Sequence, residues 1–287
     1  MAERSLVKKI ATITVIGKDK TGVVARVTGF LFEQGANIEG LEEQVTRRDF
    51  SMTIQASWKA KAWHPEEVQA GLDKLAAALK MEIRMQCVDA NRRQRFALLV
   101  TRESHAMEAM LAACRSGRLK AEPALVVSNR PELEGLARKN KLPFVRLDWN
   151  DRAKAEALTL ELLAKHEVDF VVLARFMKIL SPNFVWRYKN KIINIHPSLL
   201  PSFPGAQAYR QAYERGVKIV GVTAHFVTMN LDEGPIITQG SFPVRPRMTL
   251  KDVIHAGQKL ESTVLVKAVR LYLSKRLDVY WGVVKEI

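Results

Sequence analysis

Cysteine is scarce: only Cys87 and Cys114 occur in the 287 residues. Two thiols this far apart give neither a disulfide framework nor a metal-binding knuckle. His, Cys and carboxylate residues do not recur at ligand spacing, so no metal is expected. No apolar run is long enough to span a bilayer, and the opening Met1-Ala2-Glu3-Arg4-Ser5-Leu6-Val7-Lys8-Lys9 lacks the layout of a signal peptide. The cytoplasm is the expected compartment, and no membrane partner is expected. Internal repeats, low-complexity tracts and recognisable nucleic-acid modules are missing as well.

What remains is an ordinary globular composition, 47% apolar and 26% charged, in a chain long enough for two modest domains. The unusual bulk property is a formal charge of +15. Such an excess permits binding of nucleic acid, a membrane surface or an acidic small molecule. Lys and Arg are scattered, however, and clusters such as Arg92-Arg93-Gln94-Arg95 are short. This distribution suits a solvated surface that also steers an anionic substrate, and no nucleic-acid partner is expected.

The first 88 residues read as strand, helix, strand, strand, helix, strand. Ile10 to Ile16 alternates Thr with apolar residues, the period of a half-buried strand. After the turn Asp19-Lys20-Thr21-Gly22, Val24, Val27 and Leu31 recur at helical spacing, and Gly35 provides the stop. Asn37 to Val45 and Phe50 to Trp58 read as strands joined by the charged turn Thr46-Arg47-Arg48-Asp49. Pro65 opens a helix to Lys80, and Met81 to Val88 ends the unit. This βαββαβ order, with Asp19-Lys20-Thr21-Gly22-Val23 before the first helix and Gly35-Ala36-Asn37-Ile38 after it, resembles an ACT domain. The resemblance implies a ferredoxin-like regulatory module that pairs between subunits, hence a homo-oligomer. It also implies an amino-acid effector site at Asp19, Gly22, Asn37 and Ile38. A dimerisation module with an empty effector site fits the same residues.

Residues 89–95 are polar and basic without apolar period and read as a linker. From Phe96 to Ile287 the texture becomes α/β. Strands are expected at Phe96–Val100, Ala124–Ser128, near Phe144, Phe170–Leu173 and Lys191–Ile195. Helices are expected at Ala106–Ser116, Pro131–Asn140 and Arg152–His166. Such alternation predicts a Rossmann-like, mostly parallel sheet with helices on both faces and a site at the carboxyl edge.

Asn194 and His196 end one of these strands, in Ile192-Ile193-Asn194-Ile195-His196-Pro197-Ser198-Leu199-Leu200-Pro201-Ser202-Phe203-Pro204-Gly205. Two apart in extended backbone, their side chains leave the same face. The prolines stiffen the loop that follows. An amide beside an imidazole suits a carbonyl oxygen that gains charge during reaction; a merely hydrogen-bonded strand end fits the pair too. Gly221 to Val227 reads as a strand with alternating faces, and Leu231-Asp232-Glu233-Gly234-Pro235 brings a carboxylate to a tight loop. Asp232 is a natural third member, able to orient water or take its proton. His225 is either a supporting residue behind that set or an ordinary half-buried strand histidine, and Glu233 belongs to solvent.

The blocks Asn194-Ile195-His196-Pro197-Ser198-Leu199-Leu200-Pro201, Gly221-x-Thr223-x-His225-x-Val227 and Leu231-Asp232-x-Gly234-Pro235-Ile236-Ile237-x-Gln239 resemble the formyltransferase family that handles 10-formyltetrahydrofolate. The resemblance covers roughly residues 95 to 280. It implies catalytic roles for Asn194, His196 and Asp232. It also implies a folate pocket lined by Phe176, Met177, Lys178, Ile179 and Leu180, closed opposite by Val227, Thr228, Met229 and Asn230. Folate is then the substrate, with no cofactor, in one-carbon metabolism and purine biosynthesis.

Family members differ in what accepts the formyl group. The tRNA-directed members carry a further barrel, for which the residues up to Ile287 leave no room. Members that formylate glycinamide ribonucleotide share Pro197 and Leu199 but use a Gly/Ser-rich phosphate turn. Here that stretch is Val100-Thr101-Arg102-Glu103-Ser104-His105-Ala106, without glycine and with an acidic Glu103. Members that join an ACT domain to the formyltransferase domain transfer the group to water, releasing formate. Hydrolysis is therefore the expected reaction; transfer to an amine, or an inactive folate or amino-acid sensor, are the alternatives.

Overall fold

A computed structural model describes residues 8–46, 48–88, 92–280 and 282–286. Met1–Val7, Arg47 of the charged turn and Asp89–Asn91 of the expected linker lie outside the described residues. The chain divides into two compact units that part between Arg92 and Arg93.

The first unit runs β1 (Lys9–Lys18), α1 (Val23–Glu33), β2 (Asn37–Thr46), β3 (Asp49–Trp58), α2 (Pro65–Leu79) and β4 (Glu82–Val88). Its antiparallel sheet has the order β2-β3-β1-β4. Alternation in β1 puts Ala11, Ile13 and Val15 on one face, where the register sets them opposite Ala56, Ile54 and Met52. Val23, Val27 and Leu31 of α1 and Val68, Leu72 and Leu79 of α2 cover that face. The two helices meet closely because Gly71 has no side chain: a Cβ there would lie 2.2 Å from the ring of Phe30. Gly22, at φ 84°, holds the left-handed turn into α1 that other residues adopt only with strain. Strand β2 forms an edge and is mostly exposed.

The second unit runs β5 (Gln94–Val100), α3 (His105–Arg115), β6 (Ala121–Ser128), α4 (Glu134–Lys139), β7 (Phe144–Arg146), α5 (Arg152–Lys165) and β8 (Phe170–Ala174). It continues with α6 (Pro182–Arg187), β9 (Ile192–His196), α7 (Ala208–Glu214), β10 (Ile219–Phe226), β11 (Ile236–Pro243) and α8 (Leu250–Leu273), and ends in the hairpin β12 (Leu277–Tyr280) and β13 (Val283–Glu286). The sheet order is β11-β10-β9-β8-β5-β6-β7. Strands β5 to β9 pair in parallel, while β10 and β11 are antiparallel. Leu98, Val172 and Ile193 pack under α3, α7 and α8; Leu99, Val171 and Ile192 pack under α5 and α6.

Several boundaries depart from the sequence reading. Gln94 and Arg95, assigned to the linker, already pair with Ala121 and Glu122 in the sheet. Strand β6 starts at Ala121, and α4 covers only the middle of the expected helix. Strand β10 does not alternate in burial: Val220 through Phe226 are all buried, because α8 covers one face and the loop Ser198–Leu200 packs on the other at Gly221 and Thr223. Periodicity passes over α8 because its buried face mixes Gly257 and Glu261 with Val253, Val264 and Leu265. The chain leaves β5 in one direction to β6 and β7 and in the other to β8 and β9. The carboxyl ends of β5 and β8 therefore flank the topological switch point, where open α/β sheets form a crevice.

Candidate active site

Asn194 and His196 extend the row begun by Ile192, and antiparallel pairing sets His225 opposite Asn194 and Thr223 opposite His196. All four side chains share one face of the sheet. The Asn194 amide nitrogen lies 3.1 Å from His225 Nε2, and His225 Nδ1 lies 2.9 Å from the carbonyl oxygen of Phe226. That carbonyl can only accept, so Nδ1 carries the hydrogen and Nε2 of the neutral ring accepts from the amide. Burial pushes the His225 pKa below the ordinary 6.5, with the Phe226 carbonyl and Asp232 opposing it in part. A neutral His225 thus fixes which end of Asn194 faces it and leaves the second amide N–H for another acceptor. His225, left open by the sequence between a supporting residue and an ordinary strand histidine, is a hydrogen-bond partner of the amide.

Asp232 reaches the same place from the loop after β10. Its backbone is left-handed, φ 57°, a conformation Asp tolerates better than most residues. One carboxylate oxygen accepts from the Gly205 N–H at 2.8 Å and lies 3.3 Å from His196 Nδ1. The other lies 3.8 Å from His225 Nε2. His196 Nε2 donates to the Phe203 carbonyl at 3.0 Å. With Nε2 so committed, a hydrogen bond between Nδ1 and Asp232 requires one further proton held between ring and carboxylate. A proton shared by this pair would stand beside Asn194.

The loops are pinned by residues that the sequence motifs contain but to which they assigned no role. Thr223 Oγ1 donates to the Ser198 carbonyl at 2.7 Å and accepts from the Leu200 N–H at 3.0 Å and the Gln239 amide at 2.9 Å. The Leu200–Pro201 peptide bond in this loop is cis. Gly234 is required by space: a Cβ would lie 1.7 Å from the Phe226 carbonyl oxygen.

These groups face a cavity of about 480 Å³. Every folate-binding candidate from the sequence lines it: Phe176, Met177, Lys178, Ile179 and Leu180 on one side, Val227, Thr228, Met229 and Asn230 on the other. Phe176 and Leu180 are buried, whereas Met177 and Ile179 are each 57% exposed at the mouth. A polar lobe contributed by Glu103, Arg175, Tyr209 and Gln258 joins them. Tyr209 and Gln258 come from α7 and α8, and no local pattern marks them.

The four effector candidates of the first unit do not meet within the chain. Asp19 follows Lys18, which pairs with Asp49, whereas Asn37 pairs with Ser57 near the opposite end of β3. Eight residues of extended strand separate these ends, roughly 26 Å. Asp19 and Gly22 therefore lie at one end of the sheet and Asn37 and Ile38 at the other, because α1 carries the chain back along its length.

Residues 94–269 match the formyl transferase family model, and residues 9–86 match the ACT domain model. A formyltetrahydrofolate deformylase of Bacillus subtilis is 38% identical over 267 residues, 91% of this chain and 88% of that protein. The crystal structure of a formyltetrahydrofolate deformylase from Pseudomonas syringae superposes with a TM-score of 0.66 at 30% identity, covering 98% of this chain and 94% of that one. A glycinamide ribonucleotide transformylase from Symbiobacterium toebii, TM-score 0.65 and 36% identical, covers 94% of its own chain but 68% of this one. Similarity along nearly the whole length, through both units, is shared with the hydrolytic relatives, and the chain belongs to the formyltetrahydrofolate deformylase family.

Proposed function

We propose that this protein hydrolyses 10-formyltetrahydrofolate to formate and tetrahydrofolate with Asn194, His196 and Asp232 as its catalytic residues. The observation that carries the reading is the Asp232 carboxylate 3.3 Å from His196 Nδ1, beside an amide oriented by His225. The pterin would lie along Phe176–Leu180, under the loop Val227–Asn230, with the formyl group toward Asn194. The free Asn194 N–H would donate to the formyl oxygen as it becomes an oxyanion. Asp232 would orient a water and accept its proton as oxygen bonds to the formyl carbon. Collapse of the tetrahedral intermediate breaks the bond from carbon to N10, and the proton shared by His196 and Asp232 passes to that nitrogen. Formic acid then ionises to formate. No cofactor enters the sequence of steps.

The ACT unit suits an amino-acid effector. A site using Asp19, Gly22, Asn37 and Ile38 together would need a second subunit, which fits a homo-oligomer. A cytoplasmic enzyme serving one-carbon metabolism and purine biosynthesis accords with this reading, and no described helix is long and apolar enough to cross a membrane.

The test is incubation with 10-formyltetrahydrofolate, with and without glycinamide ribonucleotide, while formate and formylated amine are measured. Formate without any acceptor is expected. Product that appears only with the amine would replace the reading by transfer, and absence of both would leave a sensor.

A further inference from the structure

The polar lobe of the cavity raises a question that the catalytic residues do not answer. The chain resembles both hydrolases and a transformylase in the same unit, so something must keep a phosphorylated amine from taking the place of water. Resting on the hydrolytic reading, we propose that Glu103, with Arg175 and Glu261, locks this lobe against anionic acceptors and is a specificity determinant of the enzyme.

Arg175 stands at the carboxyl end of β8, at the switch point of the sheet, with its backbone left-handed at φ 63°. It lines the catalytic cavity and also a neighbouring cleft edged by Arg102, Asn129, Arg130 and Lys178. An unengaged guanidinium here would be a ready-made anion site, because its planar fork matches phosphate and carboxylate. It is not unengaged. Glu103 meets it in a fork: Arg175 Nε donates to one oxygen at 3.1 Å and a terminal nitrogen to the other at 3.2 Å. Glu261, with no exposed side-chain surface, lies 3.7 Å from the same Nε. Two carboxylates thus meet one cation.

The rest of the cluster holds the carboxylates in place. Glu261 accepts from the Tyr209 hydroxyl at 2.7 Å and from His105 Nε2 at 2.9 Å. The Gln258 amide donates to Glu103 at 3.3 Å. Tyr209 reaches Glu261 because Gly257 has no side chain; a Cβ there would lie 2.2 Å from the tyrosine ring. Burial disfavours ionised Glu103, but the charge and hydrogen bonds of Arg175 outweigh it and hold this carboxyl below its ordinary range. The lobe therefore presents an arriving phosphate with two carboxylates, one of which already occupies the Nε edge of the guanidinium. Water, being neutral and small, meets no such barrier.

The test compares the full-length wild type with Glu103→Gln and Glu103→Ala, using inorganic phosphate and glycinamide ribonucleotide as probes. Two readouts are taken: inhibition of formate release, and the rise of Tm with phosphate, which needs no turnover. Either substitution should make formate release at least about tenfold more sensitive to both probes and give a phosphate-dependent Tm rise that the wild type lacks. Removing the cation as well, in Glu103→Gln/Arg175→Met, should abolish the gain. Equal sensitivity of wild type and single variants, or a gain that survives loss of Arg175, would overturn the proposal. Failure of the wild type to release formate without an amine would overturn the hydrolytic reading instead, while the Tm comparison would still report on the lock.

Discussion

The Nε2 atom of His225 lies 3.1 Å from the amide nitrogen of Asn194, and the two residues sit directly opposite each other in the antiparallel pair β9 and β10. The imidazole tautomer is set from behind by the Phe226 carbonyl, so the orientation of the Asn194 amide is written into the register of two strands. Partners that orient reacting groups in this way are typically worth about 10- to 100-fold in activity.

Replacing His225 by Ala should lower kcat by about that factor with little change in KM, because Asn194 would still be present but free to turn. His225→Gln, whose amide oxygen can accept from Asn194, should recover part of the loss. Steady-state kinetics of the two variants checks this; equal losses in both would mean that packing matters and orientation does not.

The same histidine shapes the acid limb of stability. In the unfolded chain it takes up a proton as pH falls through about 6.5, whereas burial keeps it neutral in the fold to a lower pH. The unfolded state binds more protons in that window, so stability that is complete above about pH 6.5 is lost progressively below it. His225→Gln should show a shallower fall in Tm between about pH 7 and about pH 5 than the wild type.

Asp232→Asn keeps the size of the side chain but cannot take a proton from water or share one with His196. Formate release should fall by about 10²- to 10⁴-fold while equilibrium binding of the folate changes little. Near-normal turnover in this variant would remove Asp232 from the mechanism.

Gly234→Ala tests the loop that delivers Asp232. The added methyl would lie 1.7 Å from the Phe226 carbonyl oxygen, part of the backbone that also holds His225 Nδ1. The loop must move, and a cost of about 2–4 kcal/mol in stability is expected from overpacking of this kind, together with loss of activity. Thermal unfolding and formate assays on one preparation measure both.

The charge of +15 should act on encounter more than on chemistry. Raising the salt concentration should lower kcat/KM for the anionic substrate while leaving kcat nearly constant. A parallel fall in both would place the salt effect in the chemical step.

Much of this protein was legible along the chain. The period-2 runs of β1 and β3, the helical spacing of Val27 and Leu31, and the apolar strands of the second unit declare themselves because burial repeats at the period of the element. Asn194, His196 and Asp232 stood out because polar groups interrupt apolar strands or enter tight glycine-proline loops. A local pattern cannot report partnerships between distant segments. The sequence left His225 open between a supporting residue and a plain core residue; only strand register set it against Asn194. Asp19 and Asn37 looked like one site, until α1 carried the chain to the far end of the sheet. Helix α8 escaped notice because the polar Glu261 on its buried face is satisfied by Tyr209 and His105, which the chain supplies from far away. The sequence by itself determined the units, the strands and the chemical character of the site. The tertiary structure alone decided which donor meets which acceptor, since hydrogen bonds and charges are matched over a few ångströms in space and not along the chain.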